Sequence, residues 1–195
     1  ANGEGIVNVE VAAVKDGESK FVKTDENGEF VHHHIFGQVD FIPVKTDDYQ
    51  NGVNTLDLIL IQRHLLGIEV MEGDQLIAAD ANANHTVTAA DIKQIRDLIL
   101  GVTTKFPNND SWVFVPKLHA LNVVQPATLT FGGIKVGDVN RSASSNFKGE
   151  LLTPRHRNTH KLLMDDGATS VGKTIEMDFY AKDFAHVRGF QFTLN

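Results

Sequence analysis

The first 45 residues show the short alternation of apolar and polar positions that is typical of β-strands. An alternating run at residues 6–14 is followed by strand-forming residues at 21–23, 30–31 and 39–42. Between the second and third of these runs lies Asn27-Gly28, which favours a hairpin turn because Gly readily adopts the positive φ that such a turn requires. Four short strands in this stretch predict a small β-sandwich.

The hydrophobic period changes to helical spacing in the middle of the chain. Apolar residues recur every three or four positions at 56–66 and again at 92–100, which predicts two helices. Gly67 and Gly101 follow these segments directly, at the position where a helix C-terminus favours a left-handed residue.

The two predicted helices belong to an internal repeat. Asp57 corresponds to Asp91 at an offset of 34 residues (91 − 57 = 34), and several apolar positions match at the same offset. Two copies are too few for a helical solenoid. Each helix follows a polar loop. We therefore expect the functional residues of the repeat to lie in these two loops.

The second loop, residues 80–91, has the spacing of a calcium-binding loop. Oxygen-bearing side chains occupy positions 1, 3, 5, 9 and 12 of these twelve residues, namely Asp80, Asn82, Asn84, Thr88 and Asp91. The Thr86 carbonyl would supply a further oxygen. Calcium takes six to eight oxygen ligands, and this spacing wraps them around one ion. The alternative is a polar turn that only caps the following helix.

The corresponding first loop, residues 46–57, is degenerate. Thr46 stands at position 1, where a carboxylate is expected. The remaining candidate ligands are Asp48, Gln50, the Gly52 carbonyl, Asn54 and Asp57. The sequence leaves open whether this loop holds an ion or only keeps the shape of such a loop.

A third fragment begins like the same loop, with Asp138 and Asn140 at positions 1 and 3, but no helix follows it. We expect these two side chains to give oxygens to an ion. The alternative is a polar turn.

Strand-forming residues precede this fragment at 112–115, 129–131 and 134–136, and two further alternating runs lie at 174–181 and 189–195.

Composition and charge narrow the classes of function. The formal net charge is −7, which argues against a nucleic-acid backbone binder or a polybasic membrane-surface protein. The chain contains no Cys, so disulfides and thiolate metal sites are excluded. No apolar run approaches the roughly 20 residues of a transmembrane helix. None of the catalytic motifs for a serine hydrolase, zinc peptidase or phosphate-binding loop occurs.

The paired loop and helix resemble a type I dockerin over about residues 46–102, with Leu66-Gly67 at the end of the first helix. The stretches 51–67, 112–115 and 133–140 are similar to dockerin-like modules in large secreted proteins of Bacteroidetes, in which a β insert follows the second helix. The flanks are similar to a carboxypeptidase-regulatory-like, immunoglobulin-type repeat and to the opening strands of a cohesin-like domain.

This resemblance implies a multi-module α+β protein. Its parts would be an Ig-like β-sandwich piece at 1–45, a calcium-binding dockerin-like module with EF-hand-like loops and a β insert at 46–143, a linker at 144–173, and the first cohesin-like strands at 174–195. The resemblance also implies Ca²⁺ as the bound ion and an extracellular, secreted or cell-surface location.

The resemblance leaves three functions open. The first is a non-catalytic, calcium-stabilised structural or adhesion module of a bacterial surface or filament protein. The second is a dockerin that binds a cohesin partner in a polysaccharide-degrading assembly, through loop positions 10 and 11 at Thr55, Leu56, Ala89 and Ala90. The third is part of an enzyme whose catalytic domain lies elsewhere.

The candidate partners are cohesin-like or Ig-like β domains of the same or a neighbouring chain. The alternating run at the end of the sequence is either cut from a longer chain or donated to a neighbouring subunit. Strand addition of that kind would produce a homopolymer.

Overall fold

The computed structural model describes residues 4–145, together with strand residues 162–164 and 179–181. The chain divides into two compact units, Ala1–Gly149 and Glu150–Asn195. In the second unit, strand β7 (Leu162–Met164) pairs antiparallel with β8 (Phe179–Ala181). β7 lies inside the stretch predicted as a linker, 144–173. Most of that stretch, and most of the predicted cohesin-like strands at 174–195, lies outside the described residues.

The first unit contains a four-stranded antiparallel sheet with the strand order β2-β1-β3-β5. Its strands are β1 (Glu10–Lys15), β2 (Glu18–Lys23), β3 (Gly37–Val44) and β5 (His119–Val123). The sheet therefore crosses the boundary that the sequence predicts near residue 45, because β5 belongs to the predicted β insert. An Ig-type sandwich remains a prediction.

The hairpin between β1 and β2 turns at Asp16-Gly17, where both residues have positive φ (51° and 84°). The Asn27-Gly28 hairpin that the sequence predicts does not form, because residues 30–31 are not a strand. There the chain makes a turn closed by the Asp25 carboxylate, which accepts the backbone N–H groups of Asn27 and Glu29 at 2.8 and 2.9 Å.

The helical part contains α1 (Thr55–Leu65), α2 (Asp74–Ala79) and α3 (Ala89–Ile99). α1 and α3 confirm the predicted repeat and end in the same way. The N–H groups of Gly67 and Ile68 bond back to the His64 and Arg63 carbonyls, and Gly101 and Val102 do the same at the end of α3. This is the Schellman arrangement, which needs a residue with positive φ after the helix.

A second, two-stranded sheet pairs β4 (Trp112–Val115) with β6 (Gly132–Lys135). The predicted strand at 129–131 does not form, while β5 was not predicted. The main core lies between the helices and β6, and its fully buried members include Ile61, Ile95, Leu98 and Val136. A second cluster packs Trp112 and Phe114 against Ile6, Val9 and Val11. None of the described helices is long and apolar enough to span a bilayer.

Candidate metal centre

The loop before α3 is organised by hydrogen bonds from its own backbone to its acidic and amide side chains. The Asp80 carboxylate accepts the N–H groups of Asn84 (3.1 Å) and His85 (2.7 Å). Asn82 Oδ1 also accepts the Asn84 N–H, at 3.0 Å. Ala83 and His85 have positive φ (59° and 65°), which lets the backbone curl around these oxygens. The contiguous loop is defined here as residues 80–91.

Asp91 closes the contiguous loop from inside the protein, where its side chain is fully buried. Its Oδ1 accepts the Asn82 N–H at 3.2 Å, and its Oδ2 accepts the Thr88 N–H at 2.9 Å. Thr88 is the N-cap of α3, and the two residues form a capping box. One carboxylate thus joins the beginning of the loop to the beginning of the helix.

Asp57 occupies the same position in the first turn of α1, and it is also fully buried. Its Oδ2 accepts the N–H of the N-cap residue, Asn54, at 2.9 Å. Its Oδ1 accepts the N–H groups of Val139 and Asn140, at 3.0 and 3.2 Å. The first half of this loop therefore comes from residues that lie more than eighty positions further along the chain.

Residues 138–143 reproduce the first half of the contiguous loop bond for bond. The Asp138 carboxylate accepts the N–H groups of Ser142 (3.0 Å) and Ala143 (2.7 Å). Asn140 Oδ1 accepts the Ser142 N–H at 3.0 Å. Arg141 has a φ of 60°, almost the same as the 59° of its counterpart Ala83.

We call this second assembly the split loop, made of residues 138–143 and 52–57. Its first half matches the contiguous loop at an offset of 58 residues (138 − 80 = 58), and its second half at an offset of 34 (91 − 57 = 34). Positions 1, 3, 5, 7, 9 and 12 are then Asp138, Asn140, Ser142, Gly52, Asn54 and Asp57.

Gly52 is where the two halves meet. Its φ is 77°, and a Cβ placed on it would lie 2.5 Å from the Ala143 nitrogen, so a larger residue would displace residues 138–143. The Gly52 carbonyl accepts the Ser142 hydroxyl at 2.9 Å and the Asn54 amide at 2.7 Å. Both the backbone conformation and the close approach require glycine here.

The structure corrects the prediction that residues 46–57 form one continuous loop. The Asp48 carboxylate instead accepts the Trp112 indole N–H at 3.1 Å and an amide hydrogen of Asn51. The Gln50 amide donates to the Leu98 carbonyl at 3.1 Å. Asp48 and Gln50 thus have other partners, and Asn140 and Ser142 lie at positions 3 and 5 in their place.

Ser142 is a site residue that the sequence analysis did not include. Asp138, Asn140 and Ser142 have the same spacing as Asp80, Asn82 and Asn84, so the signal was present. It was missed because position 5 usually carries a carboxylate or amide and because no helix follows residue 143.

Burial and neighbouring charges set the electrostatics of the split loop. Burial raises the pKa of Asp57 to about 6; the Asn54 N–H opposes this shift, and the Asp138 carboxylate adds to it. Lys135 lies nearby, with its Nζ donating to the Tyr49 carbonyl at 2.9 Å. Burial lowers the pKa of Lys135 to about 8, although nearby acidic groups, Asp138 among them, favour the charged form.

The donor set in each loop fits a hard cation. Each loop offers two carboxylates, together with amide, hydroxyl and carbonyl oxygens at the spacing that calcium uses. Among the described residues, no three His, Cys, Asp or Glu side chains are grouped so that they could hold a metal ion.

Residues 49–100 match the family model described as the dockerin type I domain. This segment is therefore similar to a dockerin module. Type I dockerin domains bind Ca²⁺ through EF-hand-like loops, which confirms the predicted ion. The matched segment contains the contiguous loop and Asp57 but not residues 138–143. No curated protein and no solved structure matches the chain.

The four residues predicted to bind a partner open the two helices of this module. Thr55 and Leu56 begin α1, Ala89 and Ala90 begin α3, and all four are exposed. The structure thus leaves both helix N-termini accessible, although the two pairs differ in chemistry.

Proposed function

We propose that this chain is a non-catalytic, calcium-stabilised structural module of an extracellular bacterial surface or filament protein. The split loop is the observation that supports this proposal most directly. In it, side chains before α1 and residues after β6 together supply one set of calcium ligands. An ion bound there would link parts of the chain that are far apart in sequence, which is a structural role.

The ligands in this proposal come from both loops. The contiguous loop would hold one ion through Asp80, Asn82, Asn84, Thr86, Thr88 and Asp91. The split loop would hold the other through Asp138, Asn140, Ser142, Gly52, Asn54 and Asp57. Calcium would supply positive charge to the two carboxylates of each loop, which backbone N–H groups already hold in place.

The proposed gain in stability follows from mass action. A ligand that binds only the folded form adds about 2.7 kcal/mol when its free concentration is a hundred times Kd. For a unit of this size, that corresponds to roughly 5–10 °C in the thermal midpoint for each site.

The test is a calcium titration by calorimetry combined with thermal unfolding in calcium and in chelator. We expect two ions per chain and a lower thermal midpoint in chelator. Asp91→Asn and Asp57→Asn should each remove one ion, whereas Asp48→Asn should keep both, because Asp48 bonds to Trp112 instead. Absence of calcium binding, or a midpoint that chelator does not change, would refute the proposal.

Exposed apolar residues on the helices favour a second function, the binding of a cohesin-like partner. Leu56 and Ile59 on α1 are 48% and 51% exposed, and Leu66 at its end is 74% exposed. A 1:1 complex with a cohesin-like domain, weakened by Leu56→Asp and unaffected by Lys20→Asp on β2, would support this function. Failure to bind any member of a cohesin panel would count against it.

A further inference from the structure

The last described residues of the first unit, 140–145, are called the closing segment. The residue before it, Val139, is 1% exposed and lies in the main core. Gly137 is also fixed, because its N–H donates to the Ala78 carbonyl of α2 at 2.7 Å. The chain is therefore anchored by apolar packing up to Val139.

Beyond Val139, the closing segment is held mainly by polar contacts to residues just before and at the start of α1, with Arg141 paired to Asp74 of α2 and Ala143 packed against the second cluster. The Asn140 N–H donates to Asp57, and the Ser142 hydroxyl donates to the Gly52 carbonyl. Ser144 exchanges two hydrogen bonds with the Asn51 side chain, at 2.8 and 3.1 Å. Contacts of this kind are weak individually, since water competes for each of them.

The closing segment then continues into contacts with the amino-terminal end of the chain. The Ser145 carbonyl accepts the Val7 N–H at 3.2 Å, and the Ser145 hydroxyl donates to the Glu4 carboxylate at 2.7 Å. The split loop therefore connects three stretches of chain: the residues before α1, the closing segment and the residues before β1.

The two loops differ in what holds them together without an ion. The contiguous loop runs from the end of α2 into α3, so a helix fixes each of its ends. In the split loop, apolar packing fixes residues 138–143 only as far as Val139, and mainly hydrogen bonds hold the rest.

We propose that calcium at the split loop acts as a clasp that holds the closing segment in place. This clasp opens independently of the contiguous loop. When free calcium falls, the split loop empties before the contiguous loop, and the closing segment detaches from Asn51, Gly52 and Val7. The core, the helices and the strands stay folded. This inference rests on the calcium sites of the proposed function and adds which site releases first and what it releases.

Native-state hydrogen exchange of the full chain, followed at decreasing free calcium, tests the clasp. The amides of Val7, Asn140, Ser142 and Ala143 should exchange at least about tenfold faster once the split loop empties. Amides of the contiguous loop, such as Asn84 and His85, should keep their protection until free calcium is lower. Simultaneous loss of protection in both loops, or unchanged exchange in the closing segment, would overturn the proposal.

Matched variants separate the two loops. Asp138→Asn and Asp80→Asn change equivalent carboxylates, each of which accepts two backbone N–H groups. In saturating calcium, Asp138→Asn should accelerate exchange in the closing segment and trypsin cleavage after Arg141, whereas Asp80→Asn should do neither. Equal effects from both variants would refute the clasp.

Calorimetry on the same samples distinguishes the two proposals. Two bound ions with no selective exchange in the closing segment would refute the clasp and leave the structural calcium module intact. Failure to bind calcium at all would refute the proposed function itself. The exchange experiment on the unmodified chain keeps the test decisive even if a variant does not fold.

Discussion

At the residue level, Asp57 shows how a buried carboxylate serves both the helix and the metal loop. Its side chain caps α1 and accepts N–H groups from the far end of the split loop. Burial raises its pKa to about 6 from 3.8, against the lowering effect of the Asn54 N–H. The calcium affinity of the split loop should therefore depend on pH in a range where an exposed carboxylate is fully ionised.

Lowering the pH through about 6 should weaken calcium binding at the split loop, by up to about tenfold per pH unit, because protons compete for Asp57. Without calcium the sign is opposite. The folded form binds this proton more tightly than the unfolded form, so the Asp57 contribution to stability grows as the pH falls from about 6 toward 3.8.

Calorimetric titrations between about pH 5 and pH 7, on both sides of this pKa, check the prediction. Asp91→Asn leaves only the split loop to be measured, and Asp57→Asn leaves only the contiguous loop, which is the reference. An affinity for the split loop that stays constant across this range would contradict the raised pKa.

Gly52→Ala should abolish calcium binding at the split loop and leave the contiguous loop intact. The added Cβ would lie 2.5 Å from the Ala143 nitrogen, so residues 138–143 must move away. Gly17→Ala is a matched control: Gly17 also has a positive φ (84°), but no atom lies within 4 Å of the added Cβ. Gly17→Ala should lower the free energy of unfolding by only about 1 kcal/mol, the cost of backbone strain at a positive φ.

Calcium stoichiometry measures the difference between the two glycine variants. The expected values are one ion per chain for Gly52→Ala and two for Gly17→Ala. If both variants bound two ions, residues 138–143 would not need to approach Gly52 as closely as the structure indicates.

At the level of the elements, α1 and α3 pack through equivalent residues of the repeat. Ile61 and Ile95 lie 34 positions apart, and both are fully buried in the main core. Ile95→Ala should lower the free energy of unfolding by about 2–5 kcal/mol, because it removes buried methyl groups and leaves a cavity. Ile59→Ala, on the exposed face of α1, should cost no more than about 1 kcal/mol.

Urea unfolding of Ile95→Ala and Ile59→Ala measures the loss in free energy of unfolding that each substitution causes. Similar losses for Ile59→Ala and Ile95→Ala would mean that the repeat does not pack as described.

The elements also show what the sequence alone could predict. α1, α3, their glycine ends and the contiguous loop were predictable because their signals are local: helical periodicity, capping residues and one set of spacings. The six residues of α2 are too few for a periodic pattern. β5 pairs with a strand more than seventy residues earlier, and the split loop joins residues 52–57 to 138–143. The spacing at 138–142 is a local signal, but nothing local shows that this half-loop pairs with residues 52–57 or that β5 pairs with β3.

At the level of the whole molecule, the first unit should unfold as one cooperative body, although the sequence predicts a module boundary near residue 45. β3 pairs with β1 on one side and with β5 of the insert on the other. Trp112 is 3% exposed and packs in one cluster with Ile6 and Val11. The amino-terminal strands and the insert thus share both a sheet and a core.

Phe41→Ala tests this cooperativity, because Phe41 lies in the sheet core and is 6% exposed. The substitution should lower the free energy of unfolding by about 3–5 kcal/mol. In one cooperative body, that loss must appear equally in Trp112 fluorescence and in the far-ultraviolet circular dichroism of the helices, with both urea midpoints falling together. If the helical midpoint stayed unchanged while another probe shifted, the amino-terminal strands would be an independent module, and the shared sheet would not couple them to the calcium loops.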